Sequence, residues 1–297
     1  MVAGAGALVA LVVAYRRQRV DEDGALREAT RLHTERFTTA VSQLGDESAA
    51  VRLGGVHALA GLADDAPTLD LRQTCINVLC AYLRLPYTAE ADLPTGDANS
   101  WHAYLALREV RHTIIRLIRD HLRLEPKSPH SWEHLHFDFT AVTFDGGDFS
   151  GATFSACVVD FSGATFSGGT VDFSDAAFSG GAVDFSDATF AGGVVGFDRA
   201  TFSDGVVNFY EATFSGDAVI FDRARFLGGA VSFYEATFPS GAVIFDRARF
   251  LGGAVSFYEA SFTGGTVDLS GATGEAPIGL MPPGTPLPPG LSLPPTW

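Results

Sequence analysis

From Gly24 to about Leu124 apolar residues return every three or four positions, the period of helices that bury one face. Leu26, Leu32, Phe37, Ala40, Val41 and Leu44 lie near one stripe, which Gly45 ends. Val51, Leu53, Val56, Leu59 and Leu62 mark a second helix, and LRQTCINVLCAYLRL after Pro67 a third. Residues 86–100 read as a loop, and Trp101 to Leu124 as a further amphipathic helix. From Phe139 the period changes. Phe139, Phe144, Phe149 and Phe154 are five apart, and the steps then alternate between seven and five. Two Phe series result, each repeating every 12 residues: one from Phe149 to Phe257, continued by Leu269, the other from Phe154 to Phe262. From Phe154 on, each Phe follows an Ala or Val by two positions, as in Ala164/Phe166 and Val171/Phe173. Residues two apart share one side of a strand, so these pairs predict an inward stack with Asp, Ser, Thr, Arg and Tyr outside. Gly168-Gly169 and Gly180-Gly181 supply corners.

A coil of 12 residues has two faces and no room between them for two Phe and a Val, whereas a coil of 24 has four faces with one Phe each. The stretch FDRARFLGGAVSFYEA at 221–236 returns unchanged at 245–260, a shift of 24. The expected solenoid therefore has four faces and, over residues 139–271, about five and a half coils rising ~4.8 Å each. This register stacks Arg199, Arg223 and Arg247 in one column and Glu211, Glu235 and Glu259 in the opposite one. Asp198, Asp222 and Asp246, beside each Arg, soften the like-charge cost.

The inward A-x-F pair at steps of five, with FTAVT, FDGGD and FSGAT in sequence, resembles the pentapeptide-repeat family. That resemblance implies a right-handed quadrilateral β-helix. The seven-residue units G-x-V-x-F-x-x depart from the family pattern, with Val for Ala and two extra residues at a corner. The segment from Val51-Arg52 to Ala58-Leu59-x-x-Leu62, with the helix that follows, loosely resembles a HEAT-type helical hairpin. The expected fold class is α+β: an apolar segment at 1–20, an α-helical domain at 21–136, the β-helix at 137–273 and a Pro-rich disordered tail at 274–297.

The opening segment carries its own expectation. Val2 to Tyr15 is a 14-residue apolar run ended by Arg16, Arg17 and Arg19. As a helix it spans about 21 Å, short of the ~30 Å hydrocarbon layer. An apolar stretch closed by Arg is the pattern of a cytoplasmic membrane exit, so a truncated transmembrane helix or marginal anchor is expected, with a buried helix as the third reading. The bulk of the chain is then cytoplasmic and membrane-associated; the alternative is a soluble cytoplasmic protein.

Composition sharpens the division. Of 24 Phe, 23 lie between Phe137 and Phe262. Residues 1–136 hold 17 Asp/Glu against 15 Lys/Arg, a net of −2, while residues 137–297 hold 18 against 5, a net of −13. Direct binding of the second half to nucleic-acid phosphates is therefore not expected. Cys75, Cys80 and Cys157 have no disulfide framework spacing and read as small buried residues. His121, His130, His134 and His136 cluster without a Cys among Pro residues, so no metal site is expected; the run with Trp132 and Leu135 reads instead as a cap on the solenoid. Arg108, Arg111, Arg116, Arg119 and Arg123 read as a solvated helix face.

The repeats offer only ladders of solvent-facing carboxylates, without the unlike environments that separate an acid from a base, so no catalytic residue and no cofactor is expected. The function expected is a non-enzymatic interaction or scaffold module. Its candidate surface is the column of Tyr210, Tyr234 and Tyr258 beside Glu211, Glu235 and Glu259. Its partners are an unknown protein, a membrane through the N-terminus, and a second copy through the end of the β-helix. The family resemblance also implies an alternative, an acidic mimic of duplex DNA that binds a DNA-handling enzyme such as DNA gyrase.

Overall fold

The computed structural model describes residues 2–280 and 286–297. Four helices precede a parallel β-solenoid of about six turns. They are α1 (Val2–Leu44), α2 (Ala49–Asp64), α3 (Leu69–Leu83) and α4 (Ala98–Leu122). The chain divides into two compact units, Met1–Cys75 and Ile76–Trp297.

In the first unit α1 ends where the sequence places the stop, with Gly45 N–H donating to the Val41 carbonyl. Only the last turns of its apolar stripe are buried, at Ala40 and Leu44; Leu26 and Leu32 are exposed. Gly55 allows α2 to approach, since a Cβ there would stand 2.5 Å from the Leu44 nitrogen. Arg72 donates from Nε to the Ala63 carbonyl near the C-terminus of α2, satisfying one of the groups a helix end leaves open. The helical region is present as expected; its likeness to HEAT hairpins rests on the sequence motif alone.

The transmembrane expectation finds no support. Among the described residues no helix is long and apolar enough to cross a membrane. The apolar run is the start of the 43-residue α1, which continues through Arg16, Arg17, Arg19, Asp21, Glu22 and Asp23. A helix of membrane-spanning length beginning in this run reaches those charges.

The solenoid follows the 24-residue register. Thr189 pairs with Thr213 and Thr213 with Thr237; Val219 pairs with Val243, and Arg225 with Arg249. One turn contributes four short strands, for example Thr213–Phe214, Ala218–Ile220, Arg225–Phe226 and Ala230–Ser232. The Phe form four stacks. Phe209 lies 4.8 Å from Phe233 with planes 2° apart, and Phe226 lies 4.7 Å from Phe250, also at 2°. Between stacks the rings meet edge to face, as Phe173 and Phe185 do at 87°. Each offset or edge contact adds roughly 0.5–1.5 kcal/mol to area burial, which is why one residue type recurs at every rung. The extra residues of the seven-residue units form Gly corners. Gly193 has φ of 65°, and a Cβ there would stand 2.1 Å from the Gly169 carbonyl oxygen of the coil before.

The first coil is shorter: Thr143 pairs with Thr165, 22 residues on, and the register shifts around Asp145 until Gly147 pairs with Val171. This irregularity comes from the five-residue FDGGD unit and leaves the Asp145 side chain buried. The N-terminal end is closed by α4 as well as by the expected Trp132 and Leu135, both buried. The Arg face of α4 is accordingly solvated only in part: Arg116 pairs with Glu109 at 2.6 Å and Arg123 is exposed, while the others turn toward the solenoid. Arg111 is buried and donates 2.6 Å bonds to the carbonyls of Leu83 and Thr143, Arg119 pairs with Asp148, and Arg123 donates to the Ser150 carbonyl at 2.6 Å. Asp145 accepts from the Tyr104 hydroxyl at 2.5 Å and the Tyr87 hydroxyl at 3.3 Å. Burial and the Asp145 charge push the Tyr87 phenol up to about 12.

The tail expected to be disordered is instead part of the solenoid over its described residues. Leu291 and Ser292 pair with Val267 and Asp268, Ile278 bridges Ser256, and Trp297 Nε1–H donates to the Gly274 carbonyl at 2.9 Å with its ring on Phe250. The tail occupies strand edges that the last repeats leave open. The three cysteines are free and buried, and burial pushes the Cys80 thiol up to about 12.

Candidate interaction surface

The surface is built from one turn, Phe-x-x-Ala, repeated at two corners half a coil apart. In each turn the Ala N–H donates back to the Phe carbonyl, at 3.2 Å for Ala212 to Phe209 and 3.1 Å for Ala236 to Phe233. The residue before Ala then adopts left-handed φ: 54° at Glu211, 55° at Glu235 and 58° at Glu259 on one corner, and 56°, 54° and 53° at Arg199, Arg223 and Arg247 on the other. Their N–H groups tie neighbouring coils together, Glu211 to the Tyr234 carbonyl at 3.1 Å and Arg199 to the Asp222 carbonyl at 2.8 Å. Gly151 and Gly163 occupy the same positions in earlier coils, and Asp175 and Asp187 follow them.

The six predicted residues do share one corner. Each Tyr N–H is fixed by the residue two before it, Tyr210 by Asn208 Oδ1 at 3.2 Å and Tyr234 by Ser232 Oγ at 3.3 Å. The rings of Tyr210 and Tyr234 stack at 5.8 Å and 11°, and Tyr258 on the next rung is exposed. The hydrogen bond to Glu211 pushes the Tyr210 phenol up to about 12, and the bond to Glu259 moves Tyr234 in the same direction.

The opposite corner answers the like-charge objection to the 24-residue register. Arg199 makes a bidentate pair across one coil with Asp175, at 2.8 and 2.6 Å, which lowers the Asp175 carboxyl. Arg247 lies 2.8 Å from Asp246 and 3.6 Å from Asp222. Arg225 reaches Thr201 Oγ1 at 2.9 Å. The sequence reading named the Asp beside each Arg and missed Asp175 one coil below. The signal was there in the second position after Phe, where Gly, Asp, Arg and Glu recur before a constant Ala.

Among the described residues no group of His, Cys, Asp and Glu is arranged to hold a metal ion. Of the clustered histidines, His121 stacks on Trp132 at 3.9 Å and 13°. Residues 139–189 match the family model described as pentapeptide repeats (9 copies). Neither a curated protein nor a solved structure matches the chain.

Proposed function

We propose that this pentapeptide-repeat solenoid is a non-enzymatic interaction module whose Tyr/Glu corner meets a protein partner. One observation carries the reading: Glu is held three times in a left-handed conformation that costs a residue with a Cβ about 1–2 kcal/mol. Gly163 makes the same turn in the same column, so the fold itself does not require Glu there. Strain retained where the fold has a cheaper solution is a mark of surface function. The stacked phenols beside it supply rigid aromatic area of the kind that interfaces favour.

The test is affinity capture with the full chain and with Tyr210→Ser, Tyr234→Ser and Tyr258→Ser combined. Partners retained by the native corner and lost from the variant are expected; an unchanged set of partners refutes the reading. The net charge of −13 over residues 137–297 favours the second reading, an acidic mimic of duplex DNA. The Arg corner interrupts that acidity. Addition of excess protein to a gyrase supercoiling reaction separates the two, and the interaction reading expects no inhibition.

A further inference from the structure

We infer that the Tyr/Glu corner of one molecule receives the Arg corner of a second copy, so that solenoids associate side by side. This rests on reading the Tyr/Glu corner as a contact surface and names its partner. The argument begins with pitch. Residues 24 apart sit one rung apart, as the ring spacings of 4.8 Å for Phe209/Phe233 and 4.7 Å for Phe221/Phe245 record. An α-helix repeats a face about every 5.4 Å, so it drifts from this ladder by roughly 1.2 Å over three rungs. An extended chain repeats a face about every 6.7 Å and drifts by roughly 4 Å. A stack of strands matches Glu211, Glu235 and Glu259 rung for rung with no drift at all, and this chain carries such a ladder in Arg199, Arg223 and Arg247.

Charge selects the same pairing. All five basic residues beyond Phe137 (Arg199, Arg223, Arg225, Arg247 and Arg249) belong to the Arg corner and the strand that leaves it. They face Asp175, Asp198, Asp222 and Asp246 of the same turns and Asp172 and Asp268 at the ends of the strands that enter them, so five guanidiniums stand among six carboxylates and the corner is close to balanced where the rest of the solenoid is acidic. The turns of the other corner carry Asp187, Glu211, Glu235 and Glu259 and no basic residue. The side chains of Arg199, Arg223 and Arg247 are 51%, 50% and 57% exposed, so their present Asp partners leave room for a second carboxylate. Both ladders leave the chain at the same point of the same turn, and each has three rungs.

Contact between like corners opposes like charges, so the Arg corner meets the Tyr/Glu corner. Such a contact is heterologous: every molecule added leaves one free corner of each kind, and the assembly grows sideways instead of closing as a dimer. Exposed ion pairs are individually weak, so the association needs every rung and gives way to salt.

Sedimentation velocity of the full chain tests this at high micromolar concentration. Salt is raised from about 0.02 to about 0.5 M, which shortens the screening length from about 20 to about 4 Å. Species larger than a dimer are expected at low salt, dissociating at high salt. Two variants follow: Glu211→Lys with Glu235→Lys and Glu259→Lys, and Arg199→Glu with Arg223→Glu and Arg247→Glu. Each alone should sediment as a monomer, and an equal mixture should associate again, because one then offers basic corners and the other acidic ones. A wild-type monomer at low salt overturns the proposal, as does association that survives both triple substitutions, the result expected if the apolar start of α1 were responsible. A mixture of two variants that keep the native urea midpoint yet stays monomeric overturns it as well. The wild-type salt dependence decides the matter even where a triple variant fails to fold. A wild-type monomer leaves the interaction-module reading standing; an unchanged capture profile for the Tyr→Ser variant removes that reading.

Discussion

Replacing Asp187 by Gly should make the protein more stable. Asp187 has φ of 57° and an exposed side chain, and its N–H bond to the Tyr210 carbonyl, 2.8 Å, belongs to the backbone and survives the change. Relief of the left-handed conformation returns about 1–2 kcal/mol, and the greater freedom of Gly in the unfolded chain takes back roughly 0.5–1 kcal/mol. The net gain is about 0–1.5 kcal/mol, toward the lower end because Asp tolerates the left-handed region better than most residues with a Cβ. One coil earlier in the same column Gly163 provides the reverse experiment. Its φ is 63° and a Cβ would meet nothing within 4 Å, so Gly163→Ala costs only conformation, about 0.5–1 kcal/mol in the opposite direction. Urea unfolding followed by tryptophan fluorescence suits both variants, because Trp101, Trp132 and Trp297 all belong to the unit Ile76–Trp297. The midpoint should rise for Asp187→Gly and fall for Gly163→Ala with m unchanged. A midpoint that falls for Asp187→Gly, or does not move for Gly163→Ala, refutes the claim that these corners are strained, and with it the main support for a functional Glu column.

Three further outcomes are expected. Gly193→Ala places a Cβ 2.1 Å from the Gly169 carbonyl oxygen at a φ of 65° and should cost more than about 2 kcal/mol in the same urea assay. Burial, followed by the charge of Arg108, lowers the pKa of His112, whose Nε2 donates to the Asp145 carbonyl at 3.0 Å. The unfolded chain therefore binds the proton first, and stability falls as pH drops below about 6.5; His112→Asn should reduce the difference between urea midpoints measured near pH 7.5 and near pH 5.5. Trp297→Ala removes the bond to Gly274 and the contact with Phe250, and should speed amide hydrogen exchange at Val267 and Leu269, whose N–H groups donate to Gly290 and Ser292.

Those features differ in how plainly the chain announces them. The Phe stacks and the 24-residue register were legible because each coil repeats one local rule, and the exact copy at 245–260 fixed the coil length. The Tyr and Glu columns followed from that register alone. Their left-handed backbone did not, since Glu and Arg are poor indicators of positive φ; the related Gly151 and Gly163 were the clue. The role of Arg111 was hidden because the carbonyls of Leu83 and Thr143 converge only once the first coil is closed against α4, and sequence spacing says nothing of that. The tail misled for another reason. Its Pro content matches that of disordered segments, while what orders it is a pair of strand edges left open by the last repeats, a surface made elsewhere in the chain.

The same tail and α4 have a consequence for how the chain finds its register while folding. Residues 221–236 and 245–260 are identical, so a coil that docks one turn too early meets the Phe rings and carbonyls it would have met in the right place, and the repeats themselves hardly discriminate against the slip. Discrimination falls to the two non-repeating ends, Asp145 with its tyrosines beneath α4 and Trp297 on Phe250. Together they count the coils: a slipped chain that satisfies one end presents the other with a 24-residue surplus and no surface to receive it.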